Sequence, residues 1–213
     1  MPRALTNLTA KELATFRRRL DTPPKIQQFL DDIPYNTEDE GETFRSPRRV
    51  LRDQTANCIE GAVLAAAALR VQGDPPLIMD LTAVHDEDHV ITVYRRRGLW
   101  GAIGTSKFTG LRDREPVYRT LRELAMSYFE HYFNLRGERT LRGHGRPVNL
   151  ARFDRLEWMT SELDLWPIAE HLERIPHAPL VPSGVARRMT RVNGRLWAAD
   201  LLRHPTAAKR LPR

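Results

Sequence analysis

The sequence has 213 residues and a single cysteine, Cys58. One cysteine excludes an internal disulfide and is typical of a reducing compartment. Long hydrophobic runs are also missing, since the longest, residues 62–69, is too short to span a membrane. The first seven residues contain no apolar stretch of the kind found in secretory signals. We therefore expect a cytoplasmic protein with no membrane segment.

The composition is ordinary for a globular protein, with 41% hydrophobic and 29% charged residues. The net charge of +7 is unevenly placed, because residues 186–213 contain eight Lys or Arg and one acid, Asp200, which already gives +7. We predict a domain over residues 1–185 and a basic C-terminal segment over residues 186–213. A basic segment can bind nucleic acid, but no known nucleic-acid motif accompanies it, so we favour a solvated terminus.

Residues 57–70 read as a helix that is apolar on nearly all sides after its first turn. Such a helix belongs in a core. Cys58 lies at its start, where unpaired N–H groups and the helix dipole favour an anion and are expected to lower the thiol pKa. The alternative is a small buried hydrophobic residue, which is common for free cysteine.

Three strand-like stretches follow this helix, at residues 77–84, 89–94 and 99–103, and His89 heads the second. Elsewhere we predict mainly helices. Thr9 and Glu12 have capping-box spacing, a short helix covers residues 25–30, and a long helix runs from Glu115 to Tyr132. Further helices are expected within residues 150–174 and 196–204. The acidic stretch 38–42 is interpreted as a solvated loop.

A cysteine at a helix start followed by a histidine that heads a strand resembles the transglutaminase-like cysteine enzymes of the papain-like superfamily. The resemblance covers roughly residues 25–110, and the matching positions are Cys58, residues 60–62, Gly73, residues 89–94, Trp100 and the lead-in segment 46–51. It implies an α+β fold in which a central buried helix packs on a small antiparallel sheet, with additional helices at both ends. It also implies acyl-transfer chemistry without a cofactor.

In that chemistry Cys58 is the nucleophile and His89 is the base, because imidazole can take the thiol proton. The resemblance implies an Asp on the next strand, and none is present. If Arg97 and Gly98 form a two-residue hairpin loop, Ser106 lies opposite His89 and is predicted to accept its N–H. A loop one residue earlier would place Gly104 there instead.

Three aspartates offer alternatives to Ser106. Asp80 is expected to face Val93, about 13 Å along the strand from the histidine, which makes it a poor partner. Asp86 and Asp88 flank His89 in the preceding turn and remain open alternatives.

The backbone N–H of Cys58 is the expected oxyanion donor, and Gln54, Asn57 and Trp100 are candidates for a second donor. Each of these three side chains also has a structural interpretation, as a helix cap or a core residue. His85 and His89 are four residues apart, but on a turn and a strand this spacing lacks the geometry of helical zinc sites, so we predict no metal.

The sequence thus predicts a cysteine hydrolase or acyltransferase that acts on an amide or ester in a peptide, protein or small amide. Protease, amidase, deamidase and transglutaminase activities are not separated by the sequence. The alternative is a catalytically weak or inactive transglutaminase-like binding module, which the absent Asp favours. A nucleic-acid-associated protein that uses its basic segment is a third and less favoured possibility.

Overall fold

The structure is a computed structural model that describes residues 7–202 and residue 204. The α-helices of this part are α1 (Ala10–Arg18), α2 (Pro23–Asp32), α3 (Pro47–Asp53), α4 (Cys58–Val71), α5 (Leu121–Met126), α6 (Trp166–Arg174), α7 (Ser183–Ala186) and α8 (Gly194–Asp200). The strands are β1 (Leu77–Ala83), β2 (His89–Arg96), β3 (Leu99–Ile103), β4 (Arg114–Tyr118), β5 (Leu141–Gly145), β6 (Val148–Asn149) and β7 (His177–Pro179). Short 3-10 helices cover Phe129–His131 and Leu150–Leu156.

The strands form one antiparallel sheet in the order β4-β3-β2-β1-β5-β7, with β6 paired to β1. Helix α4 packs on β2 and β1, and α1, α2 and α3 pack on α4. The expected α+β class, with a central buried helix on a small antiparallel sheet and further helices around it, is confirmed.

Helix α4 is central because its side chains are buried from Glu60 to Arg70. Its alanine run leaves little bulk between helix and sheet, so the two can approach closely. The Thr92 hydroxyl of β2 donates a hydrogen bond to the Ala62 carbonyl of the helix. This contact shows that α4 and β2 run side by side, with the start of the helix near the start of the strand.

The two faces of the sheet belong to different cores. Ile78, Val90 and Tyr94 pack in the cluster that contains α4. Ile91 and Val93 pack on the other face, in a cluster with α5. Since neighbours on a strand point to opposite faces, His89 faces the second core, where it meets two tyrosine rings.

The hairpin of β2 and β3 has the predicted register. Arg96 lies opposite Leu99 and Thr92 lies opposite Ile103. Arg97 and Gly98 both have positive φ, 51° and 83°, as a two-residue type I′ loop requires.

The predicted pairing of β1 with β2 was wrong. His89 lies opposite Leu81 rather than Val84, and Asp80 lies opposite Val90 rather than Val93. The turn is longer than expected, because the Asp88 carboxylate accepts a hydrogen bond from the Ala83 N–H at 2.7 Å and closes a wide loop after β1.

The predicted long helix from Glu115 to Tyr132 was also wrong. Its first part is β4, whose Tyr118 lies opposite Trp100 of β3. The helix begins only after Thr120, whose hydroxyl accepts from the Glu123 N–H and caps α5. This Thr–Glu spacing is a helix-start signal that lies within the predicted helix and marks the true beginning.

The other predicted helices correspond to α1 with its capping box, α2, the 3-10 helix with α6, and α8. In the acidic loop Asp39, Glu40 and Glu42 are exposed, whereas Glu38 is half-buried. Part of the C-terminal segment packs on the domain: Trp197 and Leu201 cover Phe133. Helix α7 crosses the expected boundary at residue 185.

Within the described residues, no helix is long and apolar enough to cross a membrane.

Candidate active site

The start of α4 is fixed by a reciprocal cap. The Asn57 side chain accepts from the Glu60 N–H at 3.0 Å, and the Glu60 carboxylate accepts from the Asn57 N–H at 3.0 Å. The Asn57 amide also donates to Glu38 at 3.0 Å and to the Thr43 carbonyl at 3.1 Å. These bonds hold Cys58, the first residue of the helix, in one position.

Glu60 has a second partner that the sequence does not reveal. The Arg45 guanidinium donates to both carboxylate oxygens of Glu60, each at 2.8 Å. The Arg45 backbone N–H donates to Oε1 of Glu60 at 2.9 Å. Burial opposes ionisation of Glu60, but these bonds outweigh it and lower the pKa of the carboxyl. A buried ion pair therefore lies directly under the turn that carries the cysteine.

Cys58 and His89 line the same small cavity, whose volume is about 30 Å³. Such a volume holds little more than one water molecule. Ser106 and Leu111 line one side of this cavity, and the side chains of the turn before β2 line another. The structure thus brings together the predicted nucleophile, base and third residue.

The imidazole of His89 is oriented by a backbone carbonyl. Its Nε2 lies 2.9 Å from the Leu111 oxygen. A carbonyl only accepts, so Nε2 carries the proton and Nδ1 holds the free lone pair of the neutral ring. Tyr128 and Tyr132 meet the ring edge-on, each with a centroid distance of 6.4 Å.

The Cys58 thiol and the His89 imidazole are both neutral near pH 7. Burial lowers the pKa of His89 to about 4, although the Leu111 carbonyl acts in the opposite direction. Burial also raises the pKa of the Cys58 thiol to about 11, against the N–H groups of Val90 and Ile59. The expectation of a lowered thiol pKa was wrong, because loss of solvent outweighs the backbone donors at the helix start.

Tyr35 is a site residue that the sequence reasoning missed. A parallel bridge joins Tyr35 to Ala56, with the Asn36 N–H donating to the Ala56 carbonyl at 3.0 Å, and this bridge brings the phenol beside Cys58. The phenol interacts with both the thiol and the backbone N–H of Cys58. Burial raises the Tyr35 pKa, so the hydroxyl stays protonated.

A charged contact lies at the cavity. Lys107 lies 3.3 Å from a Glu87 carboxylate oxygen, and its ammonium lies 5.6 Å from the centroid of the Tyr35 ring. Glu87 and Lys107 both line the cavity. Neither residue carried a sequence signal, because the turn and the segment after β3 are far apart in the chain.

Ser106 lies at the cavity but is not the observed partner of the histidine. Strand β3 ends at Ile103, because the Gln27 side chain bonds both the N–H and the carbonyl of Gly104. The Ser106 hydroxyl accepts from the Phe108 N–H at 3.0 Å. The Leu111 carbonyl holds the imidazole instead, and a catalytic role for Ser106 remains a prediction.

The three candidate oxyanion side chains are engaged elsewhere. Gln54 donates to the Leu51 carbonyl at 2.6 Å, and the Asn57 amide is used in the helix cap. Trp100 lies opposite Arg95, near the end of β2 remote from His89. This leaves the backbone N–H of Cys58, which lies near the Tyr35 phenol, as the donor beside the sulfur.

The aspartates considered as alternatives are also bonded to other groups. Asp86 accepts from the Thr140 hydroxyl at 2.7 Å, and Asp88 accepts from the Ala83 N–H. Asp80 is buried and pairs with His177 at 2.9 Å. Burial and the nearby Asp88 raise the pKa of Asp80 to about 6.

In the described part of the chain, no group of three or more His, Cys, Asp or Glu side chains is arranged to hold a metal ion. No model of a known protein family matches the sequence, and no curated protein matches it either. The interpretation of the site therefore rests on its own geometry and chemistry.

Proposed function

We propose that this protein is a transglutaminase-like cysteine enzyme that transfers an acyl group from an amide or ester, with Cys58 as nucleophile and His89 as base. The observation that carries the proposal is that both side chains line one small cavity. The Leu111 carbonyl accepts from Nε2 of His89, which leaves Nδ1 unprotonated and able to take a proton. The order and spacing of the two residues along the chain and the α+β arrangement of helix and sheet support it.

The reaction begins from a neutral pair. As the Cys58 sulfur attacks the substrate carbonyl carbon, Nδ1 of His89 takes the thiol proton. Collapse of the tetrahedral intermediate breaks the bond to the amine or alcohol, which leaves with the proton from His89. Water or an amine then attacks the thioester, His89 takes and returns a proton, and the thiol is restored.

The oxyanion of the intermediate requires a donor near the sulfur, and the backbone N–H of Cys58 is placed for this role. The Tyr35 phenol lies near that N–H. Entry of a substrate requires neighbouring side chains such as this phenol to move, because a cavity of about 30 Å³ is too small for an acyl group. The substrate class is an amide or ester in a peptide, protein or small amide.

The pH dependence of Cys58 alkylation by iodoacetamide tests the pairing. With His89 as general base, the rate should rise as the imidazole loses its proton near pH 4 and then level off. His89→Ala should remove this step and leave only the rise that follows thiolate formation towards pH 11. His177→Ala, which changes the histidine paired with Asp80, is the matched control, and Cys58→Ser gives the background. Superimposable profiles for wild type and His89→Ala would refute the pairing.

A catalytically inactive module of the same kind is the second candidate. The specific observation in its favour is the Tyr35 phenol on the N–H of Cys58, together with the protonated thiol. Rapid mixing with p-nitrophenyl acetate separates the two. An enzyme should release a burst of nitrophenol that Cys58→Ser lacks, whereas an inactive module should give no burst in wild type or in Tyr35→Phe.

A further inference from the structure

A second concave surface lies outside the cysteine site. It is a groove of about 620 Å³ between β5 and the chain that follows β7. Arg139, Thr140 and Arg142, around the start of β5, line it. Residues between Val181 and Arg191, which include the beginning of the basic C-terminal segment, also line it. The volume is within the range of small-molecule sites, about 300–1,000 Å³.

The lining of the groove is strongly basic. Four arginines and one carboxylate, Glu138, contribute to it. Two of these arginines have acidic partners: Arg139 lies 2.7 Å from Glu130, and Arg191 lies 3.9 Å from Glu138. The other two, Arg142 and Arg187, form no ion pair with any described residue. The groove therefore holds two positive charges that the described part of the protein does not balance.

Arg142 is held in a fixed orientation. One guanidinium nitrogen donates to the carbonyls of Arg139 and Leu141, at 3.0 Å and 2.8 Å. Burial lowers the pKa of this arginine, and no neighbouring carboxylate offsets the effect. A half-buried guanidinium without a counter-ion is costly, and a bound oxyanion would supply the missing partner with bidentate geometry.

Apolar side chains form another part of the lining, among them Val84, Val181 and Met189, beside the polar His85, Ser183 and Thr190. A ligand that fills the groove must then combine a charged group with an apolar body. Because two arginines are unbalanced, a doubly charged group matches them better than a carboxylate. A phosphate monoester carries between −1.5 and −2 charges near pH 7, with about three acceptor oxygens.

We propose that this groove binds a small organic phosphate, whose phosphoryl group is held by Arg142 and Arg187 and whose apolar part lies against Val84, Val181 and Met189. The site is separate from the Cys58 cavity, although the turn after β1 borders both: Val84 and His85 line the groove, and Glu87 lines the cavity. The proposal does not depend on the activity of Cys58.

Isothermal titration of the full chain with phenyl phosphate tests the site. Arg142→Gln and Arg187→Gln should each weaken binding by about tenfold or more, the loss expected for one charge-assisted hydrogen bond. Arg188→Gln removes the same charge from the next residue, which does not line the groove, and should change the affinity less than twofold. Cys58→Ser should bind as wild type does.

Two further probes define the ligand class. Benzoate keeps the ring and has a single charge, and inorganic phosphate keeps the charge without the ring, so both should bind more weakly than phenyl phosphate. The proposal is overturned if wild type shows no saturable binding of phenyl phosphate at millimolar concentration. It is also overturned if Arg188→Gln weakens binding as much as the two groove variants do. Arg187 is exposed, so its substitution tests the site even if Arg142→Gln fails to fold.

Discussion

Cys58 shows how two effects of opposite sign compete at a single residue. Its place at the start of α4 supplies N–H donors that favour a thiolate, and its enclosure removes the water that a thiolate needs. Burial is the larger effect, so the thiol pKa rises to about 11. The sequence reveals the helix start, but it does not reveal that Tyr35, which is distant in the chain, lies beside the thiol. A rule based on helix position alone therefore predicts the wrong direction.

His89 should make the stability of the protein depend on pH. Its pKa is about 4 when folded and about 6.5 when unfolded, so the unfolded chain binds the extra proton between these values. As pH falls from about 6.5 to 4, wild type should lose about 3 kcal/mol of unfolding free energy relative to His89→Gln. Urea unfolding of both proteins across this range gives the difference between their free energies of unfolding. The contributions of Asp80 and other titrating groups are the same in both proteins and cancel in this difference. A flat difference curve would contradict the low pKa.

Glu60 should matter more for stability than any exposed carboxylate. Replacing it by Gln leaves the buried Arg45 with only the half-exposed Asp53, at 3.2 Å, as a charged partner. Loss of one member of a buried pair costs about 3–5 kcal/mol, and Asp53 should place the cost at the lower end of this range. Because the folded pKa of Glu60 is lowered, this contribution is present above about pH 4.5 and is lost as pH falls through the folded value.

The control for this change is Glu162→Gln, which breaks the exposed pair with Arg52. We expect no measurable change in the free energy of unfolding, because both partners remain solvated. Chemical denaturation at pH 7 and at pH 4 compares the two variants. Equal effects of the two substitutions would show that the Arg45–Glu60 pair has no special role.

At the scale of elements, local signals in the sequence predict local structure well. The Arg97-Gly98 loop fixes the register of β2 and β3. Both residues have positive φ, as a two-residue turn requires, and Arg96 is therefore paired with Leu99. Helix α4 is predicted by its composition. The turn before β2 was mispredicted, since its length depends on a hydrogen bond from Ala83 to the Asp88 side chain. That bond leaves no periodic pattern in the sequence.

The residues of the candidate site also differ in whether local sequence patterns predict them. Cys58 and His89 follow from their positions on a helix and a strand, both of which local patterns reveal. Leu111 acts through its carbonyl, which every residue has, so its role has no sequence signature. Ser106 was predicted by extending β3, and Gln27 ends that strand by bonding Gly104 from a helix far away in the chain. Non-local side-chain bonds are thus what sequence patterns fail to show.

The close contact of α4 with its neighbours predicts the effect of adding one methyl group. A Cβ at Gly61 would lie 2.5 Å from the Thr105 methyl carbon and 3.3 Å from Leu30. Gly61→Ala should therefore destabilise the protein by about 1–3 kcal/mol, despite the better helix propensity of alanine. Gly194→Ala in α8 has open space around it and should be neutral or slightly stabilising. Thermal unfolding of both variants distinguishes packing from propensity, and equal stabilisation would contradict the tight contact.

At the scale of the whole molecule, the C-terminal segment joins the domain rather than lying wholly apart from it. The Val192 N–H donates to the Gly137 carbonyl at 2.9 Å, and the indole of Trp197 donates to the Leu135 carbonyl at 3.3 Å. His131 and Asp200 lie 2.8 Å apart. The beginning of the same segment lines the groove of the proposed phosphate site, so its docking and that site are linked.

The docking of α8 should behave as a local unit that opens without unfolding the central helix. Trp197 is 7% exposed and packs with Leu201 on Phe133, in a cluster separate from the one around α4. Trp197→Ala should lower the free energy that holds α8 on the domain by about 3 kcal/mol. Amide hydrogen exchange in α8 should therefore accelerate by roughly 100-fold. Exchange in α4 should not change, since its protection depends on the other core. Leu202→Ala removes a side chain that is 79% exposed and should leave both helices as in wild type. An equal acceleration in α4 and α8 would show instead that the segment is an integral part of the folding unit.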